Sequence, residues 1–267
     1  MECPRRGRSV NRAASGAPAE GARIRRRPGA ELLLVLGVSL GQSAVYSVLS
    51  LADSLTRGPL NEQTQTLNPQ QNDRALFDLI EQLLAIAFPL VPVVLALYLM
   101  GPGVLRRIGL DLRRPGFDVG SGVLLAACIG VPGLALYFGA VALNLNLNVA
   151  TSGIGPQWYA VPVLVLSALR AAVQEEVLVV AFLVDRLDAK GWRPWAVLLT
   201  SALLRGSYHL YQGFGGFVGN AIMGVVFVLV YRRWGRVGPL VVAHFLLDLV
   251  SFVGYDLLKQ LAPGLLP

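Results

Sequence analysis

Apolar residues in this chain come in long runs separated by short polar connections. Seven runs reach or approach the roughly 20 residues a helix needs to cross a hydrocarbon core. They cover about 32 to 52, 78 to 100, 119 to 143, 158 to 185, 194 to 211, 215 to 231 and 238 to 258. Runs this long with few charges predict helices packed in a bilayer rather than amphipathic helices around a soluble core. The expected fold is all-α: a polytopic transmembrane helical bundle of about seven spans, with eight as the other count. The expected organisation is a disordered basic tail at 1–30, a first set of transmembrane helices at 31–145 and a second, chemistry-bearing transmembrane core at 146–260.

Composition agrees with that pattern. The 267 residues are 54% hydrophobic and 15% charged, with a mean hydropathy of +0.58, too apolar for an ordinary soluble domain. The first thirty residues hold eight arginines among Pro, Gly, Ala and Ser, a composition that cannot bury a core. A secretory signal is the competing reading of the first apolar run. Its apolar part would be short and followed by a small-residue cleavage site, whereas the run from Leu32 is of spanning length, so a retained helix is expected. The net charge of +7 would suit nucleic acid, but its distribution does not. Alternate connections hold eighteen basic residues against three, the positive-inside signature of a cytoplasmic N-terminus. The basicity is therefore read as topology, with no nucleic-acid partner. Cys3 and Cys128 imply no disulfide framework, and no fixed-period repeat indicates a solenoid.

The ionisable residues left inside spans are Glu81, Arg170, Glu175, Glu176, Arg205, His209, His244 and Asp248. Each costs about 2.5–3.5 kcal/mol on insertion scales and is expected to face the bundle interior or a wet cavity. Glu81, near a span end beside Asp78, reads as interfacial. The other seven lie on three spans of the C-terminal half, which makes them candidates for one site. In a helix His244 and Asp248 share a face, and the carboxylate can orient the imidazole or join it in binding an ion. Glu175 and Glu176 point about 100° apart around their helix, so only one can aim at a given partner. A lone intramembrane His or Asp is often just a helix–helix hydrogen bond, worth about 0.6 kcal/mol on average. Two glutamates, two histidines and an aspartate together exceed what packing needs.

That set is a kit for activating water against an amide carbonyl. A glutamate held away from bulk water can act as a general base, and histidine can share the proton, bind a metal or stabilise an oxyanion. Glu175, His209 and His244 would also supply a three-ligand zinc site with an open water position, although no H-E-x-x-H spacing occurs. Zinc and a metal-free mechanism both stay open.

The segments "EEVLVVAFL", "RGSYHLYQG" and "HFLLD" resemble the three motifs of the CPBP family, the CAAX-processing and bacteriocin-protection (Abi) membrane proteases, whose pattern is EExxxR, FxxxH and HxxxN or HxxxD. The resemblance covers about residues 155 to 250. It implies an intramembrane endopeptidase, described in the family both as a metalloprotease and as a glutamate-type enzyme, in the plasma membrane of a bacterial cell, acting on a peptide or membrane protein within the lipid bilayer. It also implies roles: Glu175 activates water, His209 helps to hold it, His244 and Asp248 stabilise the oxyanion or orient the site, and Glu176 assists.

This chain departs from the motifs twice. The arginine of EExxxR is Val180, and the phenylalanine of FxxxH is Arg205. The expectation is that Arg205 supplies from a neighbouring helix the cation that Val180 does not. The missing motif arginine is also the main argument for the alternative, a non-catalytic membrane protein for peptide binding, transport or toxin immunity. Among the remaining features, Gly215 and Gly219 should let helices approach closely, Asn220 should bond between helices, and Tyr208 and Tyr211 read as belt or packing residues. The depths pose a difficulty: at 1.5 Å per residue, Glu175 lies about 15 Å from the cytoplasmic end of its span, His209 about 22 Å and His244 about 9 Å. Tilted helices, a shifted boundary or a broken span near Gly206 would have to bring them level.

Overall fold

The structure, a computed structural model, describes residues 27–254 and 257; the basic segment expected at 1–30 lies outside these except for its last four residues. The described chain is mostly helical. Helices α1 (Pro28–Gly37) and α2 (Leu40–Arg57) are bent by 48° at their junction. Helix α3 (Ala75–Ala87) runs through a short 3₁₀ turn into α4 (Val91–Met100), and the four-residue α5 (Val104–Arg107) leads to α6 (Pro115–Ala142). Then come α7 (Ala160–Glu175), a π-helical stretch at Glu176–Phe182 and α8 (Leu183–Ala189), which follow one another without a break. The chain continues through α9 (Pro194–Ser207), α10 (Phe214–Trp234) and α11 (Gly238–Leu249). Proline opens α1, α6 and α9 at a position where its missing N–H costs nothing.

Among the described residues, three helical stretches are long and apolar enough to cross a membrane: Ala75–Met100, Pro115–Ala142 and Phe214–Trp234; the bent α1–α2 pair makes a fourth if it is one span. This is fewer than the seven runs of the sequence pattern. The α7–π–α8 rod is divided at the π stretch, while α9 has only fourteen residues, roughly 21 Å at 1.5 Å per residue and short of the ~30 Å hydrocarbon core. Large apolar side chains such as Leu33, Val45, Leu124 and Val131 stand exposed on the outside, as expected where lipid replaces water.

The connections gather at two ends. Two strands that the apolar pattern did not reveal, β1 (Thr64–Thr66) and β2 (Asn148–Ala150), pair in parallel with Thr64 opposite Asn148 and Thr66 opposite Ala150. The same end carries the turn before α10, where Leu147 N–H donates to the Gln212 carbonyl at 2.9 Å. Gly213 there has φ +116°, and a Cβ would sit 2.6 Å from Asn146 Cα, so only glycine fits that turn. At the other end Val237 N–H donates to the Ile108 carbonyl at 2.8 Å. The arginine-rich connections at 101–118 and 232–237 therefore meet each other, and the arginine-poor ones at 58–74 and 144–159 do likewise. The π stretch runs through the centre; every residue from Val177 to Leu183 is fully buried.

Candidate active site

The two adjacent glutamates are separated by their helix as the 100° rotation predicts, and each finds different partners. Glu176 is fully buried. Its Oε1 accepts from Arg205 Nη2 at 2.7 Å and lies 2.7 Å from His244 Nδ1. Glu175 Oε2 accepts the Tyr208 hydroxyl at 2.7 Å and lies 3.6 Å from Arg205 Nη1. One guanidinium thus spans both carboxylates. Arg205 itself has no exposure, and its guanidinium carbon stands 5.3 Å from the Phe227 ring centroid, a cation–π distance. Gly224 makes room for it, since a Cβ there would lie 3.0 Å from Ala202 Cα and 3.4 Å from Arg205 Cδ. Val180, where the motif would have its arginine, is buried among apolar neighbours. The cation comes from α9 instead.

Helix α9 ends early, and its end forms one wall of the site. After Ser207 the backbone leaves the helix, turns through Leu210–Gln212 and enters α10. This break beside Gly206 brings the Tyr208 hydroxyl within hydrogen-bond distance of Glu175, and with it the chain position next to His209. His209 Nδ1 lies 2.9 Å from the Arg205 carbonyl oxygen. A carbonyl can only accept, so Nδ1 carries the hydrogen and the lone pair of a neutral ring falls on Nε2. The ring is flanked by Tyr208, tilted against it with centroids 4.7 Å apart, and by Tyr211, near-parallel at 6.3 Å. His244 is sandwiched: Nδ1 faces Glu176, and Nε2 lies 3.5 Å from Asp248 Oδ2 one turn along α11, as the i, i+4 spacing predicts.

The sequence reasoning missed two participants, Tyr208 and Ser201, and gave Arg170, one of its candidates, no partner. Tyr208, expected as a packing or belt residue, is instead the hydrogen-bond partner of Glu175; its place next to His209 was the only hint. Arg170 donates from Nη1 to Gln174 Oε1 at 3.2 Å, one turn before the glutamates. Ser201 Oγ donates to the Val179 carbonyl at 2.9 Å, occupying an acceptor in the π stretch from the neighbouring α9. Asn220 is corrected as well: it donates to the Gly216 carbonyl of its own helix at 3.0 Å, not across helices. Glu81 accepts from Asn72 Nδ2 at 3.2 Å, away from the cluster. Its neighbour Asp78 is fully buried, with the Tyr159 hydroxyl donating to it at 2.9 Å.

A catalytic zinc would need three donors converging on one point. Among the described residues, no three His, Cys, Asp or Glu side chains are grouped to hold a metal ion. In the expected set of Glu175, His209 and His244, His209 keeps its Nε2 lone pair, with Nδ1 bonded to a carbonyl as in many metal-binding imidazoles, but His244 has a carboxylate facing each nitrogen and does not complete the set as arranged.

Residues 156–250 match the family model described as Type II CAAX prenyl endopeptidase Rce1-like. No curated protein and no solved structure matches the chain. The matched segment contains Glu175, Glu176, His209, His244 and Asp248, and its likeness supports membership of the CPBP family of CAAX-protease-like membrane endopeptidases.

Proposed function

We propose that the protein is an intramembrane endopeptidase in which Glu175 activates the hydrolytic water, held in a bundle that crosses the bilayer seven times with a cytoplasmic N-terminus. One observation carries the reading: the two glutamates are unequal. Glu176 is sealed, with Arg205 and His244 on one oxygen and no side-chain exposure, whereas the Glu175 side chain keeps 12% exposure and a single hydrogen bond, from Tyr208. A general base must be reachable by the water it deprotonates. A water that donates one hydrogen to Glu175 and the other to His209 Nε2 turns its oxygen lone pair toward a substrate carbonyl. Glu175 takes the proton as the C–O bond forms, then returns it to the leaving amine. His244, whose Nε2 is held only loosely by Asp248 at 3.5 Å, supplies the donor for the tetrahedral oxyanion. Glu176 and Arg205 fix that imidazole and Glu175 in register. The missing motif arginine, the ground for a non-catalytic reading, loses its force because Arg205 occupies the corresponding electrostatic role.

The test uses the full-length protein in liposomes with farnesylated and unprenylated peptides ending in a CAAX sequence. Glu175→Gln should lose at least about a hundredfold in cleavage rate, the size of a general-base contribution. Equal cleavage by wild type and variant would end this assignment. A chelator arm separates the two chemistries: unaffected cleavage leaves the water to the side chains, and loss restored by zinc assigns it to a metal.

A further inference from the structure

We propose that the arginine-rich end of the bundle contains a binding site for the phosphate of an anionic lipid headgroup. A cavity of about 350 Å³ lies there, lined by Arg106, Asp111, Arg113, Arg114, Trp234 and Arg236. Its place in the fold points to lipid. Arg113 and Arg114 immediately precede Pro115, where one membrane-length helix begins, and Trp234 is the last residue of another, Phe214–Trp234. The cavity therefore sits at the level where hydrocarbon gives way to headgroups. Tryptophan is favoured at that level because its ring is apolar while its N–H needs a polar partner. Trp234 is set edge-on against Phe117, with centroids 5.3 Å apart, and gives the cavity an apolar wall of the kind a glycerol or acyl segment would use.

The charges are arranged in two layers. Arg236 is buried and fixed: Nε and Nη2 bind the two oxygens of Asp118 at 2.8 Å and 2.6 Å, and Nη2 also reaches Asp111 Oδ1 at 3.0 Å. Arg113 Nε stands 3.8 Å from Asp111 Oδ2. Two carboxylates thus serve two of the four arginines, and Arg106 and Arg114 are exposed with no ion-pair partner among the described residues. That leaves two uncompensated guanidiniums over a braced, concave floor beside the positive end of a 28-residue helix. Basic pockets between membrane helices at a headgroup level are where anionic lipid phosphates bind. A rule that only sets topology needs arginines in the connection, but it needs neither the concavity, nor the aromatic wall, nor an arginine locked by two aspartates.

The site also touches the functional helix. Gly109, at φ +67°, lies so close to Arg236 that a Cβ would come within 2.6 Å of its Cα, and Gly238 N–H donates to the Gly109 carbonyl at 3.2 Å. Gly238 opens α11, which carries His244 and Asp248. A bound headgroup would therefore brace the foot of that helix.

The experiment is native mass spectrometry of the purified full-length protein in neutral detergent, titrated with phosphatidylglycerol or phosphatidylcholine, with inorganic phosphate as a separate arm. Thermal unfolding is recorded for every protein. Wild type should bind phosphatidylglycerol in preference to phosphatidylcholine and be stabilised by it. Arg106→Gln/Arg114→Gln should lose about thirtyfold in phosphatidylglycerol affinity, from the removal of two charges near the headgroup, while Arg193→Gln, an exposed arginine elsewhere, should bind as wild type does. Arg106→Gln alone serves if the double variant does not fold. Undiminished phosphatidylglycerol binding by the arginine variants would overturn the proposal. So would equal loss in the Arg193 control, which would mark general charge attraction, or full protection by inorganic phosphate alone, which would mark a soluble-anion site.

Discussion

Removing the charge of Arg205 probes the arrangement most directly. Arg205→Leu keeps an apolar stem against Phe227 but leaves Glu176, fully buried, without its cation. The pair is 2.7 Å long with neither side chain exposed, so no solvent screening discounts it. Breaking a buried ion pair by deleting one partner costs about 3–5 kcal/mol, because a buried charge is left uncompensated. At about 2–4 °C per kcal/mol for chains of this size, the unfolding midpoint should fall by on the order of 10 °C. The assay is thermal unfolding in detergent followed by tryptophan fluorescence, with Glu176→Gln and Arg205→Leu/Glu176→Gln completing a double-mutant cycle. The double variant should be clearly more stable than Arg205→Leu, since the orphaned charge is gone. A further variant, Val180→Arg/Arg205→Phe, moves the cation to the position of the family motif and should recover part of the lost stability and activity. If Arg205→Leu unfolds like wild type while Glu176→Gln is destabilised, Arg205 is not the counter-charge.

Four other variants have expected outcomes. Tyr208→Phe keeps the ring but removes the 2.7 Å bond to Glu175; a hydrogen bond to a charged group contributes about 1.5–3 kcal/mol, so kcat should fall roughly tenfold to a hundredfold with KM little changed in the peptide assay. Gly215→Ala would push a methyl into Ala140 Cβ of α6 and should cost about 1–3 kcal/mol by overpacking. Gly120→Ala meets nothing within 4 Å and should gain about 1 kcal/mol of helix propensity; unfolding midpoints compare the two. Asp111 is held below the ordinary carboxylate range, chiefly by its hydrogen bond from Arg236. A depressed folded value means its stabilisation is fully present above the ordinary carboxylate value, about 4, and is lost as pH falls through the lowered one. Wild type and Asp111→Asn should therefore differ in unfolding midpoint near neutral pH and converge in strong acid, which a pH series of melts would show.

Much of this protein is legible in its sequence, because a bilayer demands long apolar runs and tolerates ionisable residues inside them only for a reason. The runs gave the helical class, and the residues that interrupt them gave Glu175, Glu176, His209, His244 and Asp248. The adjacency of two glutamates also guaranteed that they would face different partners, and the unusual Arg205 one turn before His209 pointed to the substitute for the absent motif arginine. Spacing along one helix fixes such relations, as it did for His244 and Asp248.

Relations between helices had to wait for the tertiary structure. A broken span near Gly206 is one of three ways to bring the site residues level, but "LLRGSYHLYQG" does not choose among them, because Gly206, Ser207 and Tyr208 are all tolerated inside membrane helices. The stop at Ser207 sets Tyr208 against Glu175 and turns His209 Nδ1 to a carbonyl. The paired strands at Thr64–Thr66 and Asn148–Ala150 were hidden for the same reason: three-residue pairings join segments more than eighty positions apart and leave no local period. Which glutamate is sealed and which remains reachable was decided by what α9 and α11 place beside them. Local sequence sets where a side chain points around its own helix, and only the packing of other helices decides what it meets there.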